Sequence, residues 1–209
     1  MNKTFIALLT LSFTFFNAFC FSREYFLEGR ASYFYPTEHR FREVYSGGGM
    51  YGVEFDMQAW KELFVWVGVD YFHKTGHTHV KCHHAVNGPV QHFKKHGNKT
   101  HITLVPCSVG LKYITNTDPV QFYVGAGFLA EYLHTQVNSK YLVRERSRWG
   151  YGGAFNTGLL FNIGKSFLID LFTDYYLVTV HLHRTHKKVY SHHADVSGFS
   201  FGGGLGYKF

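Results

Sequence analysis

From Glu24 onward, apolar and polar residues alternate with period two in segments of ten to sixteen residues. This is the pattern of strands that set one face against an apolar medium and the other against a polar one. Eight segments run from Glu24 to Tyr35, Gly48 to Ala59, Leu63 to Phe72, Ile102 to Ile114, Val120 to Leu133, Gly150 to Ile163, Phe167 to Leu182 and Val196 to Phe209. The connections alternate too. Residues 60–62, 115–119 and 164–166 are tight turns, whereas 36–47, 73–101, 134–149 and 183–195 are long loops. An up-and-down meander places every tight turn, with both termini, at one end and every long loop at the other. The pattern predicts an all-β fold, an eight-stranded antiparallel up-and-down β-barrel, with no linker or second domain.

Which medium the apolar face meets is decided by what it carries. It reads Leu27, Tyr33 and Tyr35; Tyr51, Val53 and Phe55; Val65, Val67, Val69 and Tyr71; Val105, Val109, Leu111 and Tyr113; and Phe199, Phe201, Leu205, Tyr207 and Phe209. Tyrosines fall near the strand ends and aliphatics toward the middle, the distribution of aromatic girdles around a lipid-facing band. The opposite face carries Glu28, Arg30, Glu54, Asp56, Asp70, Lys112, Glu131, Asp170, Asp174 and Lys208, interleaved with glycine. An eight-stranded barrel has an interior just wide enough to be filled by side chains, and this polar, small-residue set suits it. The strands are therefore read as transmembrane. Arg30 and Lys112 are expected to join the acids in a lumen charge network, because unpaired buried charge is costly.

Residues 1–22 read as a signal peptide: Lys3 precedes an apolar stretch from Phe5 to Phe16, and cleavage falls after Cys20 or Ser22. The barrel domain is then 23–209. Aromatic residues make up 19% of the chain, with 22 Gly and only 4 Pro, a composition that favours pleated sheet over helix. The formal charge of +7 points to an anionic partner. Nucleic acid is set aside, because a secreted chain presents its basic surface outside the cell.

The last strand, Ser200 to Phe209, places Leu205, Tyr207 and Phe209 at alternate positions and ends on an aromatic residue. It is similar to the C-terminal assembly signal of small outer-membrane barrels. Leu104 to Tyr113 and Tyr123 to Phe128 also resemble stretches of that family. Nearly the whole mature chain thus resembles the eight-stranded barrels of the OmpA and OmpX type. The resemblance implies location in the bacterial outer membrane, with loops outside the cell. It also implies insertion by the outer-membrane assembly machinery, and lipid and lipopolysaccharide as neighbours. It leaves activity open, since the fold hosts anchors, adhesins and enzymes.

The chemistry concentrates in the long loops. All 15 histidines lie in or beside them, and the four loops hold 14 Lys and Arg against 4 Asp and Glu, a net +10. Three readings of this surface are open. The loops face a polyanionic glycolipid leaflet, where basic residues meet phosphates. Alternatively, His77, His79, Cys82, His83, His84, His181, His183 and His186 converge on Zn²⁺, Cu²⁺ or Ni²⁺. In the third reading, the histidines of loops two and four gain charge as pH falls and push those loops apart. A host-surface ligand is compatible with each.

No other cofactor is called for. Cys82 lies far from Cys107 along the strand, so no disulfide is expected, and Cys107 reads as a small apolar filler. The family's lipid A deacylases work with a His-Ser-acid set. Ser191, His192, His193 and Asp195 are the densest group of those types here, but adjacent side chains on an extended segment point to opposite sides. The expected role is a non-enzymatic surface protein acting through its loops. A narrow channel for small solutes and a lipid A-modifying enzyme are the alternatives.

Overall fold

The computed structural model describes residues 24–78, 98–139, 142–164, 166–182 and 192–209. The signal-peptide reading therefore lies outside the described residues. Strands β1 (Tyr25–Pro36), β2 (Gly48–Trp60), β3 (Leu63–Thr78), β4 (Asn98–Ile114), β5 (Val120–Ser139), β6 (Leu142–Ile163) and β7 (Phe167–Leu182) pair antiparallel, each with the next. Two short runs follow, β8 (His192–Asp195) and β9 (Gly198–Lys208). They form one interrupted eighth strand: β8 pairs antiparallel with the top of β7, and β9 pairs with both β7 and β1. The sheet is thus closed into an eight-stranded up-and-down barrel. Closure at the tight-turn end is finished by Tyr25 and Phe209, which exchange backbone hydrogen bonds of 3.2 and 3.1 Å. The turn from β6 to β7 needs Gly164, whose φ of 69° is costly for a residue with a Cβ.

Exposed apolar side chains line the outer face of the wall, with Val53, Val67, Val109, Val124 and Leu171 in its middle. Tyr35, Tyr51, Tyr71, Trp149 and Tyr151 rim the loop end, and Trp60, Tyr113, Phe167, Tyr207 and Phe209 rim the turn end. No described helix is long and apolar enough to cross a membrane. The crossing is made by the strands, whose backbone groups are satisfied by their neighbours.

Two sequence expectations are corrected at the loop end. The segment 134–149 was expected to be a loop, yet β5 and β6 stay paired up to Ser139 opposite Leu142. Likewise β3 and β4 continue to Thr78 opposite Asn98, inside the expected loop 73–101. Beyond the membrane both faces of a hairpin are wet, so the ladder persists without the alternation that marks it in lipid. The first loop holds a seven-residue helix, α1 (His39–Tyr45). Glu38 caps it by accepting a hydrogen bond of 2.7 Å from the Phe41 backbone N–H.

Candidate functional site

The lumen is built in three layers. Toward the loops, Phe34, Met50, Trp66, Phe72, Leu104, Leu129, Tyr176, Val178 and Val180 form an apolar cluster, capped by Phe41 and Tyr45 of α1. Toward the turns, Phe26, Phe64, Ile114, Tyr123, Leu160, Leu168 and Phe172 form a second one. Charged side chains lie between. Arg30 donates to Glu54 at 2.6 Å and to Asp174 at 2.7 Å, and its guanidinium lies 3.6 Å from the centre of the Phe172 ring. Lys112 pairs with the other oxygen of Glu54 and reaches Asp56 at 2.9 Å. Glu54 thus joins both cations. The phenols of the two clusters reach inward: Tyr123 donates to Asp170 at 2.8 Å, and Tyr176 to Asp70 at 2.9 Å.

Glycines make room for these groups. A Cβ on Gly52 would stand 2.0 Å from Asp70 Oδ1, and one on Gly125 would stand 2.1 Å from Asn156 Oδ1. Both are places where a neighbouring strand's polar side chain lies flat across the backbone.

Glu28, Arg30, Glu54, Asp56, Asp70, Lys112, Glu131, Asp170 and Asp174 are all buried. They are not one network. Glu28 and Glu131 make no ion pair among the described residues, and neither oxygen of Glu28 has a hydrogen-bond partner there. Lys208 is not in the lumen interior: it sits at the turn-end mouth and pairs with Glu24 at 2.5 Å. That mouth is a polar cup of about 230 Å³ lined by Glu24, Gln58, Lys61 and Glu62, closed above by Phe64 and Ile114.

The aromatic lumen layers were missed in the sequence because they occupy the same parity as the charges. Trp66 between Val65 and Val67 and Phe72 after Tyr71 read as interruptions of a polar face rather than as a plug.

At the loop end, α1 lies over the barrel mouth, with Tyr45 and Val44 against Gly76 of β3. Burial pushes the Tyr45 phenol up to about 12. Of the histidines considered as metal ligands, the backbone places His77 on β3 opposite Lys99 and His181 on β7 opposite His193. His79, Cys82, His83, His84, His183 and His186 lie outside the described residues. Cys107 is a free thiol, half-buried on β4. Leu205, Tyr207 and Phe209 all face outward on the closing strand.

A closed antiparallel barrel with an apolar outer belt, aromatic rims and a filled polar lumen defines the class: a transmembrane β-barrel of the bacterial outer-membrane type. Solved structures agree on this fold. OprG from Pseudomonas aeruginosa matches with a TM-score of 0.62 at 14% identity, covering 90% of this chain and 96% of that one. Neisserial surface protein A matches at 0.53 and 14%, covering 90% and 99%. Ail, the attachment invasion locus protein of Yersinia pestis, solved with the heparin analogue sucrose octasulfate, matches at 0.51 and 14%, covering 90% and 98%. No family model matches the sequence, and no curated protein sequence does.

Proposed function

We propose that this chain is a non-enzymatic, non-conducting surface protein of the bacterial outer membrane that binds polyanionic ligands through its long basic loops. The observation that carries this reading is the three-layered lumen. Apolar clusters above and below the charge layer fill the lumen among the described residues, which favours a plug over a conducting path, so function falls to the loop end. There the sequence concentrates a net charge of +10, which draws anions and keeps cations away. A glycolipid leaflet, a host-surface glycan and a sulfated polysaccharide share the required chemistry. The Ail structure was solved with one such sulfated ligand, a heparin analogue.

The test is retention of the refolded barrel on immobilised heparin against a neutral polysaccharide, over a range of salt concentrations. Retention on heparin alone, weakening as salt rises, is the expected result. Equal retention on both supports overturns the reading. Planar-bilayer recording should show no discrete conductance, and stepwise currents would favour the channel alternative. Lipid A from cells with and without the protein should carry the same acyl pattern in mass spectrometry; a changed pattern would favour the enzyme.

A further inference from the structure

Above the loop-end aromatic rim, the outer wall of β3 to β6 carries a band of imidazoles. In the ladder His73 stands opposite Thr103, Thr103 opposite His134, and His134 opposite Ser147. One step higher, Thr75 stands opposite His101. These positions share the parity of Tyr71, Tyr132 and Trp149, so they face away from the lumen. Each ring is held in the same way, by a hydroxyl on the neighbouring strand at Nδ1. His73 meets Thr103 at 3.0 Å, His101 meets Thr75 at 3.0 Å and His134 meets Ser147 at 2.9 Å. With Nδ1 occupied, Nε2 is the ring nitrogen left for a ligand.

Height identifies the surroundings. Tyr132 and Trp149 pack together, with ring centroids 5.2 Å apart, at the rim. His134 and Ser147 are two residues further up, about 5 Å along the membrane normal for a strand tilted by about 40°. That is the depth of lipid headgroups, which occupy roughly 5 to 8 Å of each leaflet beyond the hydrocarbon. On the parity of the imidazoles the charged positions above the rim are Lys99 and Glu145, which balance, so the donors at this site are the imidazoles themselves. The rings of His73 and His101 are nearly parallel, 12° apart in plane with centroids 6.1 Å apart. Their in-plane nitrogens run side by side instead of converging on one ion, which disfavours a transition metal. The same spacing suits one phosphate group, whose oxygens accept from both rings at about 3 Å.

We infer that His73, His101 and His134 form a docking site on the outer wall of the barrel for the phosphate groups of the surrounding outer-leaflet glycolipid. The inference rests on the membrane placement of the barrel and is independent of polyanion binding by the loops.

The test is native mass spectrometry of the refolded full barrel with bis-phosphorylated lipid A, dephosphorylated lipid A or phosphatidylglycerol. Wild type should hold the phosphorylated glycolipid about tenfold more tightly than the other two. The triple variant His73→Gln, His101→Gln, His134→Gln should lose that margin. The triple lysine variant, which restores cationic donors, should keep it. A heat-dependent shift on SDS gels verifies that both variants fold, and heparin retention should be unchanged in the glutamine variant. Binding of phosphorylated lipid A by the folded glutamine variant at the wild-type level overturns the site, as does its loss from the folded lysine variant. Equal binding of the dephosphorylated form removes the phosphate, and equal binding of phosphatidylglycerol removes the glycolipid.

Discussion

Replacing Lys112 by Met tests whether the middle layer of the lumen is held by its ion pairs. The Lys112 side chain is 2% exposed; its ammonium group pairs with Glu54 and Asp56 and lies 4.6 Å from the centre of the Tyr123 ring. Met matches the length of the stem but takes away the charge. Glu54 keeps Arg30 at 2.6 Å, whereas Asp56 has no other ion-pair partner among the described residues and is left buried beside Glu28 and Glu54. Breaking a buried pair from one side typically costs about 3 to 5 kcal/mol, most of it the uncompensated charge rather than the lost attraction. The second variant follows from that distinction. Adding Asp56→Asn to Lys112→Met neutralises the stranded group and should recover at least about 1 kcal/mol. Urea unfolding of the barrel refolded into lipid vesicles, followed by tryptophan fluorescence, measures both. A loss below about 1 kcal/mol for Lys112→Met would refute the reasoning. So would a double variant less stable than the single one, because the cost would then not arise from stranded charge.

Gly152→Ala should abolish the folded, heat-shifted band on SDS gels, because its Cβ would stand 1.7 Å from the Leu177 carbonyl oxygen. Gly29→Ala, with nothing within 4 Å, should leave the band unchanged. In an ultraviolet phenolate titration, Tyr45→Phe should remove one phenol that ionises near pH 12. Since folding raises this group above its ordinary value near 10, its contribution to α1 packing is present below about pH 10 and lost as pH rises through about 12. Phe209→Ala removes a ring stacked 6.0 Å from Tyr25 at the closing seam. It should lower the amount of barrel assembled in cells, read on membrane fractions, more than the yield of refolding in detergent. Calorimetric titration of the refolded chain with Zn²⁺, Cu²⁺ and Ni²⁺ tests the loop histidines. Saturable binding that weakens at lower pH is expected if neutral imidazoles are ligands, and no heat at either pH ends that reading.

The wall of this barrel is legible in the chain because lipid imposes a strict rule on each outward position. Val53, Val67, Val109 and Leu171 mark the parity, and the rest of each strand follows from it. The lumen obeys a looser rule. Its side chains must fill space and satisfy one another, and both Trp66 and Glu54 do so on the same face. Period two therefore separates lumen from lipid, but does not say which lumen positions are charged partners and which are plug. The partners of Arg30 illustrate this: Glu54, 24 residues away, lies on the neighbouring strand β2, whereas Asp174, 144 residues away on β7, is brought near only by the closure of β1 against β9. The turn chemistry of α1 was present in the sequence, with Glu38 three residues before Phe41 and an apolar pair at Phe41 and Tyr45. It was hidden by its length, since seven residues make barely two helical turns.

The two ends of the molecule are thereby separated in what they can do. The charge layer lies buried between two apolar layers, a low-dielectric setting that strengthens each pair and makes each unpaired group costly. The paired strands hold His73 and His134 at one height and His101 one step higher, with their Nδ1 atoms already occupied, so a headgroup meets donors that need little ordering. Binding by the wall and binding by the loops then draw on different residues of the same basic end. A change in one should leave the other intact.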